Sequence, residues 1–247
     1  MNSTILNVLC EGQTEERFVK DVLKPYFSSR GLVVKHRLLV TSRKKDTKGG
    51  LLSYSQAKND LLLWVKEVSH RESESHFFTT MFDFYALPDD FPNKIQSKSI
   101  ADPYLRIANV EDAFKQDIGF DGFIPYIQLH EFEALMFCDI TKLAIEYPKC
   151  SKEIGGLVNV LEKYNGNPEL IDNSPQTAPS KRIIAAIEGK HKYNYNKPRS
   201  GAVVTASIGM DILLRKCPHF RQWVTVINSI VENNSSSGTI KNLELRI

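Results

Sequence analysis

Apolar residues along this chain follow two alternating rhythms. Ile5-Leu6-Asn7-Val8-Leu9-Cys10 is a short, nearly continuous apolar run that stops at Glu11-Gly12, the pattern of a strand buried on both faces and ended by a glycine turn. Directly after it, Phe18, Val19, Val22, Leu23 and Tyr26 recur at helical spacing. Thr14 is the expected N-cap, and Glu15 and Glu16 sit where carboxylates favour the helix dipole. Gly31 closes the unit. Residues 32–40 read as a second strand, residues 43–50 as a polar, basic loop with a glycine pair, and Ala57, Leu61, Trp64, Val65 and Val68 as one face of a second helix capped by Ser53. Residues 76–82, aromatic and β-branched, predict a third strand ending at Asp83. Asp102-Pro103 supplies the N-cap and N1 of another helix, and residues 123–129 after Gly122 predict a fourth strand.

Strand and helix thus alternate through the first half, which predicts an α/β fold with a mainly parallel sheet flanked by helices. In such a sheet the functional loops lie beyond the carboxyl ends of the strands. After residue 138 the pattern becomes helical: residues 151–164, 180–188, 203–215, and 219–231 with Phe220, Trp223, Val224, Ile227 and Ile230 on one face. The expected organisation is therefore an α/β domain over residues 1–138 and a mainly helical extension, 139–247, packed on the sheet. Residues 165–179, rich in Asn and Pro, leave a separate small domain as an alternative. Residues 239–247 offer either an edge strand or a frayed end.

Composition adds exclusions. The 247 residues are 42% hydrophobic and 25% charged, the make-up of an ordinary globular protein, and no apolar stretch approaches the roughly 20 residues that span a bilayer. The first residues lack a basic region followed by an apolar one, so no secretory signal is read and a cytoplasmic location is expected. Cys10, Cys138, Cys150 and Cys217 form no Cys-x-x-Cys pair and are expected to be reduced thiols. The net charge of +3 is too mild to announce a nucleic-acid binder.

Its distribution says more. Lys35, Arg37, Arg43, Lys44, Lys45 and Lys48 accompany a single acid, Asp46, while Lys181, Arg182, Lys190, His191, Lys192, Lys197 and Arg199 flank Tyr193 and Tyr195. Cations mixed with aromatic rings suit phosphates and exposed bases, although a solvated loop explains either cluster as well. Ser180 capping a helix that opens with Lys181-Arg182 would aim a helix N-terminus and two cations at one anion.

Acidic residues carry the chemistry. Glu11 follows the first strand, Asp83 ends the third, and Glu131 and Glu133 follow the fourth. Parallel strand ends converge, so these carboxylates could share a hard divalent cation. Glu15 and Glu16 are explained by the helix dipole, whereas Glu11 is not. Glu131 and Glu133 share a face in a strand but diverge by roughly 200° in a helix, so periodicity does not choose between them.

The segment Val8-Leu9-Cys10-Glu11-Gly12-Gln13-Thr14-Glu15 resembles the first motif of TOPRIM domains, a glutamate ending strand one, then glycine and a second glutamate. Together with Phe82-Asp83-Phe84-Tyr85-Ala86-Leu87-Pro88, Ile127-Gln128-Leu129-His130-Glu131-Phe132-Glu133-Ala134-Leu135 and Thr177-Ala178-Pro179-Ser180-Lys181-Arg182, it is similar to domain-of-unknown-function family 4276. The resemblance implies a TOPRIM-like fold and Mg²⁺- or Mn²⁺-dependent phosphodiester chemistry of the kind found in primases, topoisomerases and nucleases that accompany ATPases in phage defence. It implies Glu11, Asp83 and Glu133 as catalytic residues, and Glu11, Glu15, Asp83, Glu131 and Glu133 as metal ligands. The basic clusters offer Arg43, Lys44, Lys45, Lys181, Arg182 and Lys192 as the expected nucleic-acid contacts. The sequence departs from the TOPRIM Asp-x-Asp pair, since Asp83-Phe84-Tyr85 keeps one aspartate, and Glu131 or Glu133 is the expected replacement.

The expected function is a divalent-metal-dependent nuclease of a prokaryotic anti-phage module. Its expected partners are DNA or RNA, an AAA- or ABC-type ATPase and a second copy of the chain. The alternative is a catalytically weak regulatory or nucleic-acid-binding subunit of such an ATPase. A third class, an enzyme of small phosphorylated metabolites, lacks any GxGxxG or GxxxxGK[ST] loop in its support.

Overall fold

The computed structural model describes residues 3–39, 51–71, 73–171, 177–189 and 193–235. Strand β1 (Ser3–Cys10) leads through the turn at Glu11-Gly12 into α1 (Gln13–Phe18), a π-helical stretch (Val19–Leu23) and α2 (Lys24–Ser28). Pro25 has no N–H to return to the carbonyl four residues earlier, which accounts for the helix widening just before it. Then come β2 (Val33–Leu38), α3 (Tyr54–Val68), β3 (Glu74–Asp83), α4 (Pro103–Ile118), β4 (Phe123–Ile124) and β5 (Ile127–Gln128). A 3₁₀ segment (Phe132–Ile145), kinked at Asp139, precedes α5 (Ser151–Glu162), α6 (Pro179–Glu188), α7 (Lys197–Ile208), α8 (Met210–Lys216) and α9 (Pro218–Ser235).

The sheet is parallel throughout, in the order β2-β1-β3-β4, with β5 also pairing β3. The predicted α/β class with a mainly parallel sheet is what the structure shows. Every residue of β1 from Ile5 to Cys10 is buried, as expected for a strand covered on both sides. Leu6, Val8 and Cys10 face one core with Phe18, Phe27, Phe132, Phe220 and Trp223. Leu9, Phe78 and Phe82 face the other, under Trp64 of α3 and Ile107, Val110 and Phe114 of α4. Each such aromatic ring, fully removed from water, contributes roughly 2–3 kcal/mol. The C-terminal helices join α1 and α2 over the first face: Trp223 Nε1 of α9 donates to Thr79 Oγ1 of β3 at 2.9 Å.

Several local expectations are corrected. The first helix is capped at Gly12, not Thr14; Thr14 is buried inside it, and the Gly12 N–H donates to Glu15 Oε2 at 3.0 Å. Ser53 precedes α3 but makes no cap hydrogen bond; the Tyr54 N–H donates instead to Asp90 Oδ1 at 3.0 Å. The fourth strand is two short pieces because Pro125 cannot donate to a ladder. Thr80 Oγ1 fills the break, donating to the Tyr126 carbonyl at 3.0 Å and accepting from the Tyr126 N–H at 3.1 Å. The helix expected over 203–215 is α7 and α8, parted at Gly209, whose φ of 82° no β-carbon-bearing residue adopts easily. Asp102 behaves as read, its Oδ1 accepting from the N–H groups of Tyr104 and Leu105 at 2.8 and 2.9 Å.

Candidate functional site

The register of the parallel sheet assembles the site. Cys10 pairs with Met81, so the next residue, Glu11, donates its backbone N–H to the Met81 carbonyl at 3.2 Å and arrives beside the end of β3. There Glu11 Oε2 accepts the Asp83 N–H at 2.9 Å, locking the two strand ends together. On the far side, Asp83 pairs with Gln128 of β5. His130 then takes a left-handed backbone conformation (φ 63°), which turns the chain from β5 into the 3₁₀ segment carrying Glu133. A non-glycine residue in that conformation costs of order 1 kcal/mol or more, a strain tolerated where geometry is fixed for another purpose.

Glu133 is the one of the two downstream glutamates that enters the cluster. Its carboxylate is fully buried, and Oε2 lies 3.1 Å from Lys197 Nζ at the first turn of α7. That contact is an ion pair without hydrogen-bond alignment, for neither Glu133 oxygen has a properly directed donor; nor does buried Asp83 Oδ1. Glu131, two residues earlier, is spent otherwise. Its Oε1 accepts the Ser180 N–H and its Oε2 accepts the Ser180 hydroxyl at 3.0 Å, so it satisfies the start of α6.

Electrostatics tie Glu11, Glu15, Asp83, Glu133 and Lys197 into one unit. Burial pushes the Glu11 carboxyl up to about 7, with the Asp83 N–H pulling it down and the Glu15 charge adding to the rise. Burial, and for Asp83 the charges of Glu15, Glu11 and Glu133, holds Asp83 well above the usual carboxylate range. Glu15 and Glu133 are raised as well, chiefly by burial, with Lys197 opposing. Burial works against the charge on Lys197, but Glu133, Asp83 and Glu15 together outweigh it and keep the ammonium protonated. Four carboxylates therefore face one cation, an imbalance that demands protons or further positive charge.

Lys197 is placed by the segment that carries Glu133. The Asn196 N–H donates to the Tyr147 hydroxyl at 3.0 Å, and Arg199 Nε pairs with Glu146 Oε2 at 2.6 Å, which pins the start of α7. Gly201, one turn on, lets that helix approach: a β-carbon there would stand 2.8 Å from the Phe132 ring and 3.1 Å from the Thr14 methyl.

The basic residues read as nucleic-acid contacts are not gathered here. Lys181 is exposed on α6, and Arg182 Nε donates to its own helix start, the Thr177 carbonyl, at 2.6 Å. The N-terminus of α6, expected to face a phosphate with Ser180 as its cap, is occupied by Glu131 and has Ala178 at the cap position. Arg43, Lys44, Lys45 and Lys192 lie outside the described residues. Tyr193 and Tyr195 are half-buried against Tyr147, the Tyr195 hydroxyl 3.5 Å from Met136 Sδ, so neither is a free stacking platform. The four cysteines are buried free thiols, Cys138 and Cys217 with sulfurs 3.3 Å apart.

The donor chemistry fits a hard divalent ion. Buried carboxylate oxygens without hydrogen-bond partners are the ligands Mg²⁺ and Mn²⁺ take, and the site's excess negative charge is what such an ion would offset. Among the described residues, however, no three His, Cys, Asp or Glu side chains are gathered into one coordination sphere, and Lys197 stands among the carboxylates.

Fold and site define a parallel α/β protein with an acidic cluster at the carboxyl edge of its sheet. The chain belongs to the domain-of-unknown-function family DUF4276, whose model matches residues 10–228. No curated protein matches it. A solved structure of the C-terminal region of the Xanthomonas campestris pv. campestris OLD protein aligns at 13% identity with a TM-score of 0.41, covering 94% of this chain and 98% of that one.

Proposed function

We propose that this chain is a TOPRIM-like, Mg²⁺- or Mn²⁺-dependent phosphodiesterase that cuts DNA or RNA as part of a prokaryotic anti-phage module in the cytoplasm. The observation that carries it is the convergence of Glu11, Glu15, Asp83 and Glu133, from two strand ends, a helix start and a 3₁₀ turn, around the half-buried Lys197 ammonium. Among the described residues no helix is long and apolar enough to cross a membrane.

Glu11, Glu15, Asp83 and Glu133 would hold the metal, with Glu131 outside them. When bound, a divalent ion neutralises the scissile phosphate and lowers the pKa of the attacking water. The chain's own groups do the rest. Glu11 could instead act as general base, leaving the metal to Glu15, Asp83 and Glu133: with Oε2 on the Asp83 N–H, Oε1 would receive the water's proton, and a carboxyl near 7 suits that task at neutral pH. Lys197 stays protonated and offers its charge to a phosphate oxygen as the phosphorus–oxygen bond breaks.

One observation favours a second reading, a regulatory subunit with weak activity of its own: the carboxylates of the described residues are not drawn into a ready coordination sphere, and Lys197 already pairs with Glu133. One experiment decides. The purified chain, alone and co-expressed with a candidate partner ATPase, is given labelled single- and double-stranded DNA and RNA with Mn²⁺. Metal-dependent cleavage that falls at least about 100-fold in Glu11→Gln and Asp83→Asn is expected. Variants that fold and cut as fast as wild type would overturn the site, and cleavage only in the complex would select the regulatory reading.

A further inference from the structure

Two of the four cysteines differ from the others in what they touch. Cys138 lies in the 3₁₀ segment and Cys217 where α8 gives way to α9, 79 positions further on, yet their buried sulfurs are 3.3 Å apart. Cys10 and Cys150 meet backbone carbonyls instead, those of Val8 and Ile187, each at 3.9 Å. A buried cysteine commonly serves as a small apolar side chain, which accounts for that second pair. It does not account for the surroundings of Cys138. Beside it, the 3₁₀ segment, α5 and α8 frame a cavity of about 290 Å³ with Cys138 in its wall. The cavity reaches the surface, since Thr141, Val158 and Arg215 of its lining are exposed. It has room for a molecule of a few atoms. Two cations line it, Arg215 and Lys216, and the Lys216 ammonium donates to the Cys138 carbonyl at 2.8 Å. Positive charge beside a thiol that small molecules can reach is the setting of oxidation-sensitive cysteines.

We propose that Cys138 and Cys217 form a reversible redox site, at which hydrogen peroxide entering through this cavity oxidises the two thiols to a disulfide. The backbone allows closure. A disulfide holds its sulfurs at about 2.05 Å, so they must approach by about 1.3 Å. Each cysteine adjoins an interruption rather than a helix interior: Asp139, next to Cys138, has φ −153° and ψ 81°, and Cys217 itself has φ −115° and ψ 93°. Burial and the contact with Cys138 hold the Cys217 thiol well above its ordinary value, with Lys216 opposing. Cys217 therefore keeps its proton, and Cys138, on the cavity wall, is the sulfur that reacts first. It takes one peroxide oxygen to become a sulfenic acid, and the other oxygen leaves as water with the Cys138 proton. The Cys217 sulfur then displaces that hydroxyl, which departs with the Cys217 proton as a second water. The two sulfurs lose two electrons and one O–O bond is reduced. The product fastens the 3₁₀ segment, whose first turn carries Glu133, to the junction of α8 and α9. Neither sulfur belongs to the acidic cluster, so this site stands whether or not the chain is a nuclease.

The test uses the full chain, reduced, freed of reductant and exposed while folded to hydrogen peroxide, with glutathione treated alongside as a gauge of dose. Catalase ends the reaction, and the protein is then denatured, alkylated with N-ethylmaleimide and digested. Wild type should lose two of its four alkylation sites, with the peptides of Cys138 and Cys217 joined and those of Cys10 and Cys150 alkylated as before. Dithiothreitol should restore the lost two. In Cys217→Ser, where no second thiol completes the bond, the sulfenic acid should persist at Cys138 and be captured by dimedone. Full alkylation of the folded wild type at a dose that oxidises the glutathione would overturn the proposal. So would higher oxyacids of Cys138 formed without the cross-link, or a cross-link that Cys10 or Cys150 enters equally.

Discussion

Glu11→Gln should make the metal-free protein more stable at neutral pH, although it removes a carboxylate at the centre of the site. A carboxyl whose pKa rises from 4.5 to about 7 on folding binds its proton more tightly in the folded state. Between those two pH values the native state therefore carries more protons than the unfolded one, and stability falls as pH rises through the window. The rise from 4.5 to about 7, at about 1.4 kcal/mol per pH unit, sets a ceiling of about 3.5 kcal/mol, reached above pH 7. Glu11 retains some exposure, so the measured value should fall below that ceiling. Glutamine keeps an oxygen for the Asp83 N–H while shedding the charge. Unfolding a chain of 247 residues carries an entropy of about 0.5 kcal/mol/K, so about 3.5 kcal/mol corresponds to about 7 °C in Tm. Thermal melts in a chelator from pH 5 to pH 8 provide the assay. The variant should melt within about 2 °C of wild type at pH 5 and up to about 7 °C higher at pH 8, and saturating Mg²⁺ should raise the wild type alone. A variant no more stable than wild type at pH 8 would refute the claim that this carboxylate is held at a cost.

Lys197→Met leaves Glu133 buried without its counter-ion and should destabilise the fold by about 3–5 kcal/mol at pH 7.5, with much of the loss recovered at pH 5 as Glu133 takes a proton, read by urea denaturation at both pH values. Gly201→Ala drives a methyl group to within 2.8 Å of the Phe132 ring; it should cost about 1–3 kcal/mol by calorimetry and, by shifting α7 and its lysine, weaken Mn²⁺ binding seen by electron paramagnetic resonance. Glu169→Ala removes the acceptor for the His219 and Phe220 N–H groups and the Tyr104 hydroxyl, and a loss of about 2–4 kcal/mol should appear in denaturant melts without any change in Mn²⁺ affinity.

The alternation of strands and helices was readable because β1 and the second half of β3 are buried on both faces and so carry runs in which few residues are polar. Glu11 and Asp83 were readable for the same reason, as the first charges after such runs. From its position alone Glu15 was explained by the helix dipole, and only the family resemblance set it among the metal ligands. Its burial depends on α7 crossing α1, which no periodicity within α1 can report. The choice between Glu131 and Glu133 was likewise tertiary, settled by Ser180 and Lys197, which lie about 50 and 64 residues downstream. Lys197 itself stood in a basic run where nothing set it apart from its neighbours. Only Asn196 and Pro198 around it, an N-cap and an N-terminal helix proline, marked the helix start that aims it. The break in the fourth strand was legible at Pro125, but its repair by Thr80 needed the sheet register.

Glu11 and Lys197 are separated by 186 positions (197 − 11) in a chain synthesised from its N-terminus. At roughly 5–20 residues per second, Glu11 is made about 10–40 s before the lysine, and Glu133 about 3–13 s before it. Until Lys197 is made, these carboxylates lack the ammonium that pairs with Glu133. Nascent chains and prematurely terminated ones are thereby barred from forming the complete centre. For a protein whose proposed activity would endanger the cell's own nucleic acid, the order of the sequence is itself a safeguard.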